Sequence, residues 1–302
     1  SSYLSQLSAL KTPTDPYLII VSGPTASGKG SLPNKVIEYA ELNKDGFESI
    51  LIDNLVEKNP DYKKKVSEYI EELKNEADSD EDLKQMFLHP TDDMLTNFKD
   101  IYFGARRKGS CLHEGMVCQP DNHCMTCDAL NDANLTKAFN DTKNIVFETT
   151  GEVWPDWLFN ISENIDKYNV IVAWPIVKLC ELLNRNKTRA KTSLEEFMKD
   201  PTSPPPRLPD IRFGKYTDAL NKIISVFNDA NENQKQKCKQ KDPKCIRLLL
   251  FDNNNPGSKV LYDSQINTLE EGNDAINGYM VDVEECKVGD DDTVADGDDD
   301  AF

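Results

Sequence analysis

The sequence predicts an α/β protein built on a doubly wound, mainly parallel sheet with helices on both faces. Three observations carry this. Short runs of apolar, β-branched residues recur along the chain, as strands buried on both faces require. Helical stretches separate most of them, the alternation that produces parallel sheets. The first run is followed at once by a glycine-rich turn and a helix.

The first strand is Tyr17-Leu-Ile-Ile-Val21, preceded by Pro16 and ended by Ser22-Gly23. A helix is expected over 32–42, then a second strand at Ser49-Ile-Leu-Ile-Asp53. Further strands are Asn144–Glu148, Asn169–Ala173 and Cys245–Phe251. Helices are expected at 61–76, 129–140, 155–167, 176–190 and 214–232. Three regions break the pattern. Residues 78–127 form an insertion that holds four cysteines. Residues 199–210 hold five prolines and read as a stiff loop. Residues 233–244 are rich in Lys and Gln and read as a solvated loop. The organisation is thus an N-terminal extension (1–16), one domain (17–284, insertion at about 78–127) and an acidic tail (285–302).

The chain is acidic, with a formal charge of −18. Half of that sits on residues 282–302, where ten acids face the one base Lys287. The tail offers almost nothing to bury and is expected to be disordered, available to a protein partner. The remainder is acidic too, which argues against binding led by nucleic-acid phosphates. No apolar run approaches 18 residues, so no transmembrane helix is expected. The opening residues lack a charged region followed by an apolar one, so no signal peptide is read. Eight cysteines are too few for a disulfide scaffold in 302 residues, and a cytoplasmic, reducing compartment is the expectation.

Gly23, Pro24, Thr25, Ala26, Ser27, Gly28, Lys29, Gly30 and Ser31 form a phosphate-binding loop between the first strand and first helix. Its glycines let backbone N–H groups turn inward, and the helix N-terminus adds to the cradle. Lys29 reaches the β/γ phosphates. The fold is therefore that of a P-loop NTPase. The hydroxyl residue that usually follows the lysine, a Mg²⁺ ligand, is Gly30 here, and Ser31 comes one place later. This Lys-Gly-Ser order resembles the Lys-Gly-Thr of adenylate-kinase-like enzymes, which implies Mg²⁺ held largely through water.

Beyond the loop, several motifs together resemble the zeta-toxin family of P-loop kinases. They are Ile50-Leu-Ile-Asp53-Asn54, Asn59-Pro60-Asp-Tyr62 and Val146-Phe-Glu148-Thr149-Thr-Gly151. Ala173-Trp-Pro175 follows, then Leu182-Leu-Asn-Arg185-Asn-Lys-Thr-Arg189, Arg207-Leu-Pro209, Leu249–Asp252 and Val260–Tyr262. The likeness covers roughly 17–77 and 129–264. It implies a kinase that moves the γ-phosphate of ATP, with Mg²⁺, to a hydroxyl of a small molecule; the family's best known acceptor is a UDP-activated amino sugar. It implies roles for Lys29 at the phosphates, Arg185 and Arg207 on the transferring group, Arg189 at the nucleotide, and Glu148 and Thr149 at the acceptor. The family's second aspartate aligns with Leu55, which leaves Asp53 as the candidate base. The plainer alternatives are a capping role for Asp53, a buried structural carboxylate for Glu148 and surface ion pairs for the arginines. The alternative for the whole chain is a nucleotide-binding protein with weakened catalysis and an interaction or structural role.

In the insertion, Cys111, Cys118, Cys124 and Cys127, with His113 and His123 beside them, carry enough soft ligands for tetrahedral Zn²⁺. Only one Cys-x2-Cys knuckle is present. Two disulfides and unmodified thiols are the alternatives.

Overall fold

The computed structural model describes residues 15–108, 111, 125–150, 167–208, 246–254 and 259–280. The N-terminal extension up to residue 14, Cys118, Cys124, both flanking histidines, the expected helix at 155–167 apart from its last residue, the expected helix at 214–232, the 233–244 loop and the acidic tail lie outside the described residues.

The elements in chain order are β1 (Tyr17–Ser22), α1 (Leu32–Tyr39), β2 (Phe47–Ile50), α2 (Ile52–Lys58), α3 (Pro60–Glu76), α4 (Asp80–Leu88) and α5 (Asp92–Lys108). They continue with α6 (Cys127–Asn140), β3 (Asn144–Thr149), β4 (Asn169–Ile176), α7 (Leu179–Lys199), β5 (Arg247–Asp252), β6 (Lys259–Asp263) and α8 (Leu269–Met280). The sheet order is β2-β3-β1-β4-β5-β6. Every pairing is parallel except β5 with β6.

β1 is central, with Val21 opposite Glu148 of β3 on one side and Ala173 of β4 on the other. Its alternate side chains serve two cores, as the pleat requires. Leu18 and Ile20 pack with Phe147, Val172 and Trp174; Ile19 and Val21 pack with Leu32, Val36 and Ile37 of α1. From β1 the chain passes to the edge strand β2, returns to β3 beside β1, and then crosses over β1 to β4, so the strand order reverses about β1 and a crevice opens at its carboxyl end. The phosphate loop occupies that crevice.

A third core contains no strand. Val66, Ile70 and Leu73 line one face of α3 and meet Leu83, Phe87, Met94 and Phe98. The helices around it start cleanly. Asn59 accepts from Asp61 N at 2.9 Å, Ser79 from Asp82 N at 3.1 Å and Thr126 from Ala129 N at 3.2 Å, which satisfies donors that helix ends leave open. α4 is tied to α7 by Lys84 and Glu195 at 3.3 Å.

Several expectations are corrected. The second strand ends at Ile50, so Asp53 stands in the first turn of α2 rather than at a strand end. Ile52, Leu55 and Val56 recur at helical spacing and pack on the helical core, which turns this segment into a helix. β4 runs to Ile176, and the following helix reaches Lys199. Two helices, α4 and α5, fill the first part of the insertion. The C-terminal α8 was not expected; Gly272 lets it approach Tyr262, whose ring lies 2.9 Å from where a Cβ would stand.

The zinc expectation is also corrected. Cys111 and Cys127 form a disulfide with Cα atoms 4.9 Å apart. Both are buried in the helical core, an apolar setting that disfavours the thiolate zinc needs. Once oxidised they are no longer thiolate ligands. Among the described residues no group of three or more His, Cys, Asp or Glu side chains could hold a metal, and no cysteine is free. Cys180 is disulfide-bonded as well. Among the described helices none is long and apolar enough to cross a membrane.

Candidate active site

The phosphate loop is held open by its own backbone and braced from behind. Gly28 has φ +88°, a region costly for side-chain-bearing residues. A Cβ there would stand 2.1 Å from Asn253 Nδ2. That amide donates to Ser27 O at 2.6 Å, and Lys35 Nζ donates to Asn253 Oδ1 at 2.8 Å. On the other flank Asn186 Nδ2 donates to Thr25 O at 3.2 Å. Both asparagines are buried, so the loop's shape is fixed by β5 and α7. Lys29 Nζ folds back onto Gly23 O at 2.6 Å. Nothing lies within 4 Å of a Cβ built on Gly30.

Five charged groups from separate elements converge in front of the loop. Lys29 lies 3.8 Å from Glu148 at the end of β3. Burial pushes the Lys29 ammonium down, against the pull of Glu148 and Asp53. Burial likewise raises the Glu148 carboxyl, and Lys29 offsets it only in part. Desolvation therefore outweighs attraction at this pair. Asp53 Oδ2 accepts from Arg207 Nη1 at 2.9 Å, and its Oδ1 accepts from the Tyr102 hydroxyl at 2.6 Å. Burial raises Asp53, but the Arg207 charge and the two hydrogen bonds win, and its carboxyl is held below the usual range. Arg207 also donates to Glu57, one helical turn after Asp53 on α2. Arg189, lowered by burial and then by Arg207, acts on the same set.

Beside this cluster a cleft of about 550 Å³ runs along α7 toward the proline-rich loop. Arg185, Thr188, Arg189, Thr192, Pro205 and Glu57 line it. With Glu181, Glu196 and Arg207 also in the lining, its walls mix three arginines, three carboxylates and hydroxyls, groups that recognise a polar small molecule.

The structure brings together Lys29, Asp53, Glu148, Arg189 and Arg207 from the set the sequence singled out. Thr149 follows Glu148 at the end of β3, in register with Ser22. Arg185 stands apart from the cluster. Its Nε donates to Glu181 at 2.7 Å and its Nη2 to Asn254 O at 3.0 Å, at the cleft's edge. Leu55, where the family carries aspartate, packs on the helical core. The sequence reading missed Glu57, Tyr102, Asn186 and Asn253. Glu57 was legible once Asp53 is placed on a helix, being four residues on. Tyr102 left no local signal, because 49 residues separate it from its partner.

No family profile and no curated protein matches this chain. In its motifs the chain resembles the zeta-toxin kinases, and in its fold it is similar to a solved structure. That structure belongs to the PezAT chromosomal toxin-antitoxin system of the human pathogen Streptococcus pneumoniae. Identity is 16%, coverage is 94% of this chain and 89% of the other, and the TM-score is 0.47. The P-loop α/β fold is established by the strand order and the loop geometry described above.

Proposed function

We propose that this protein is an ATP-dependent kinase that transfers the γ-phosphate to a hydroxyl of a small polar molecule, a nucleotide sugar being the first candidate. One observation supports this most strongly. An ionised carboxylate, Asp53, is fixed between Arg207 and Tyr102 within the same electrostatic cluster as Lys29. Nucleotide binding alone needs the loop; it does not need a positioned carboxylate and two arginines in front of it.

In-line transfer asks for phosphate positioning, charge neutralisation and an oriented hydroxyl. Lys29 and the loop amides hold the β/γ phosphates. Arg189 and Arg207 meet the charge that develops on the transferring group. Asp53 accepts the acceptor's proton as its oxygen bonds to the γ-phosphorus and the bond to the β-phosphate oxygen breaks, releasing ADP. Mg²⁺ neutralises phosphate charge when bound. With glycine at position 30, Ser31 is the loop hydroxyl that would help to hold it. The acidity of the chain disfavours a polynucleotide acceptor.

The test is a panel of UDP-sugars, nucleosides and free sugars with labelled ATP. Label transfer to one member is expected. ATP binding without transfer to any member would favour the second reading, a nucleotide-binding protein with weakened catalysis, for which Leu55 is the specific observation.

A further inference from the structure

The hydroxyl of Tyr102 comes from the insertion, outside the part of the chain that carries the family likeness. It donates to Asp53 Oδ1 at 2.6 Å, on the oxygen that Arg207 leaves free. A carboxylate oxygen accepts at two lone-pair positions, so each still has one for an acceptor hydroxyl. The tyrosine is itself held. Its ring packs edge-on against Tyr62 at 6.1 Å and Phe103 at 5.4 Å, arrangements aromatic pairs prefer. α5 is anchored one turn on, where Asn59 Nδ2 donates to Ala105 O at 3.5 Å and Arg106 pairs with Asp128 of α6. The Cys111–Cys127 disulfide then joins the residues just past α5 to the start of α6.

We propose that Tyr102 is a positioning residue: the helical insertion reaches the active site through it and sets which lone pairs of Asp53 face the acceptor hydroxyl. This rests on the kinase reading given above. Mere filling of space does not account for the contact, since a phenylalanine would fill the same space without the hydroxyl. The surroundings of Asp53 are otherwise crowded with charge. Arg207 from the proline-rich loop, Lys29 from the phosphate loop and Arg189 from α7 bring positive charge. Arg106 from α5 does too, while Glu148 from β3, Glu57 from its own helix and Tyr62 from α3 are the acidic or phenolic neighbours. Burial and the Asp53 charge push the Tyr102 phenol well above its ordinary value, so it stays a donor throughout the working pH range.

The experiment is a carbon-13 carboxyl titration of the full chain labelled at aspartate, with Asp53 assigned by Asp53→Asn. Wild type and Tyr102→Phe are compared, together with turnover against pH. Expected for Tyr102→Phe are an unchanged melting temperature, Asp53 titrating at higher pH and turnover about tenfold lower, the scale of one hydrogen bond to a charged group. The acid limb of turnover should move up with Asp53, and the KM for ATP should stay. Identical Asp53 titration and an identical acid limb in both proteins would overturn the proposal. Should Tyr102→Phe fail to fold, 3-fluorotyrosine incorporation replaces it; the stronger donor should move the Asp53 titration downward, and no movement overturns the proposal. Wild type that transfers phosphate to no acceptor, with Asp53 still responding to Tyr102→Phe, would sink the kinase reading and leave the grip of Tyr102 on Asp53 standing.

Discussion

The sheet half and the helical half of this molecule are built by different rules. In the sheet half, β1, β3 and β4 are continuous apolar runs, each buried on both faces, and the phosphate loop follows β1 directly. The loop is next in sequence to the strand and helix that carry it, and Asn186 and Asn253 brace it from distant parts of the chain. In the helical half, α2 to α6 surround a core of their own, and the side chains that matter meet across long separations. Asp53 from α2 meets Tyr102 from α5 and Arg207 from beyond α7. Local pattern builds the first half; the second depends on which helices pack together.

The difference can be broken at the point where the halves meet. Asp53→Asn keeps the size of the side chain and removes its charge. Phosphoryl transfer should fall on the order of 10²-fold or more, the scale for losing a positioned base, with ATP affinity nearly unchanged in calorimetry. Equal rates for variant and wild type would show that Asp53 is not the base. Arg207→Ala should lower turnover more than ATP binding too, since charge on the transferring group peaks in the transition state.

A second perturbation touches only the helical half. Cys111→Ala with Cys127→Ala removes a bridge spanning 16 residues in sequence. A loss of about 3 kcal/mol in denaturant unfolding is expected. ATP affinity should not change, because the phosphate loop is braced by β5 and α7 instead. A parallel loss of ATP binding would show that the halves are not separable.

Lys29→Ala addresses the sheet half alone. Removing the charge at the phosphates should weaken ATP about tenfold or more by calorimetry, with little effect on the helical core. An unchanged affinity would sink the phosphate-loop assignment. The smallest expected effect is at Gly30, where space is open. Gly30→Ser should fold with an unchanged melting temperature, and it sharpens the metal question by restoring the usual hydroxyl; tighter Mg²⁺ dependence of ATP binding is the expected sign.

Acid should separate the halves as well. Asp53 has a depressed carboxyl, so its contribution is present above the ordinary aspartate range and is lost as pH falls through its lowered value. Transfer should therefore survive to lower pH than for an unperturbed aspartate base, and Arg207→Gln should bring the acid limb up.

By itself the sequence determined the parallel α/β sheet, because strands buried on both faces must be uniformly apolar and parallel strands need helical crossovers. It determined the phosphate loop, because glycine, lysine and hydroxyl residues stand next to one another along the chain. It also singled out Asp53, Glu148, Arg189 and Arg207. Only the tertiary structure decided that Asp53 rides on a helix, which brings Glu57 onto its face one turn on. Only packing paired Cys111 with Cys127, where spacing equally allowed a metal site. And only packing brought Tyr102 to Asp53. A hydrogen bond between residues 49 apart leaves no periodicity along the chain; it exists because α2, α3 and α5 bury their apolar faces in one core.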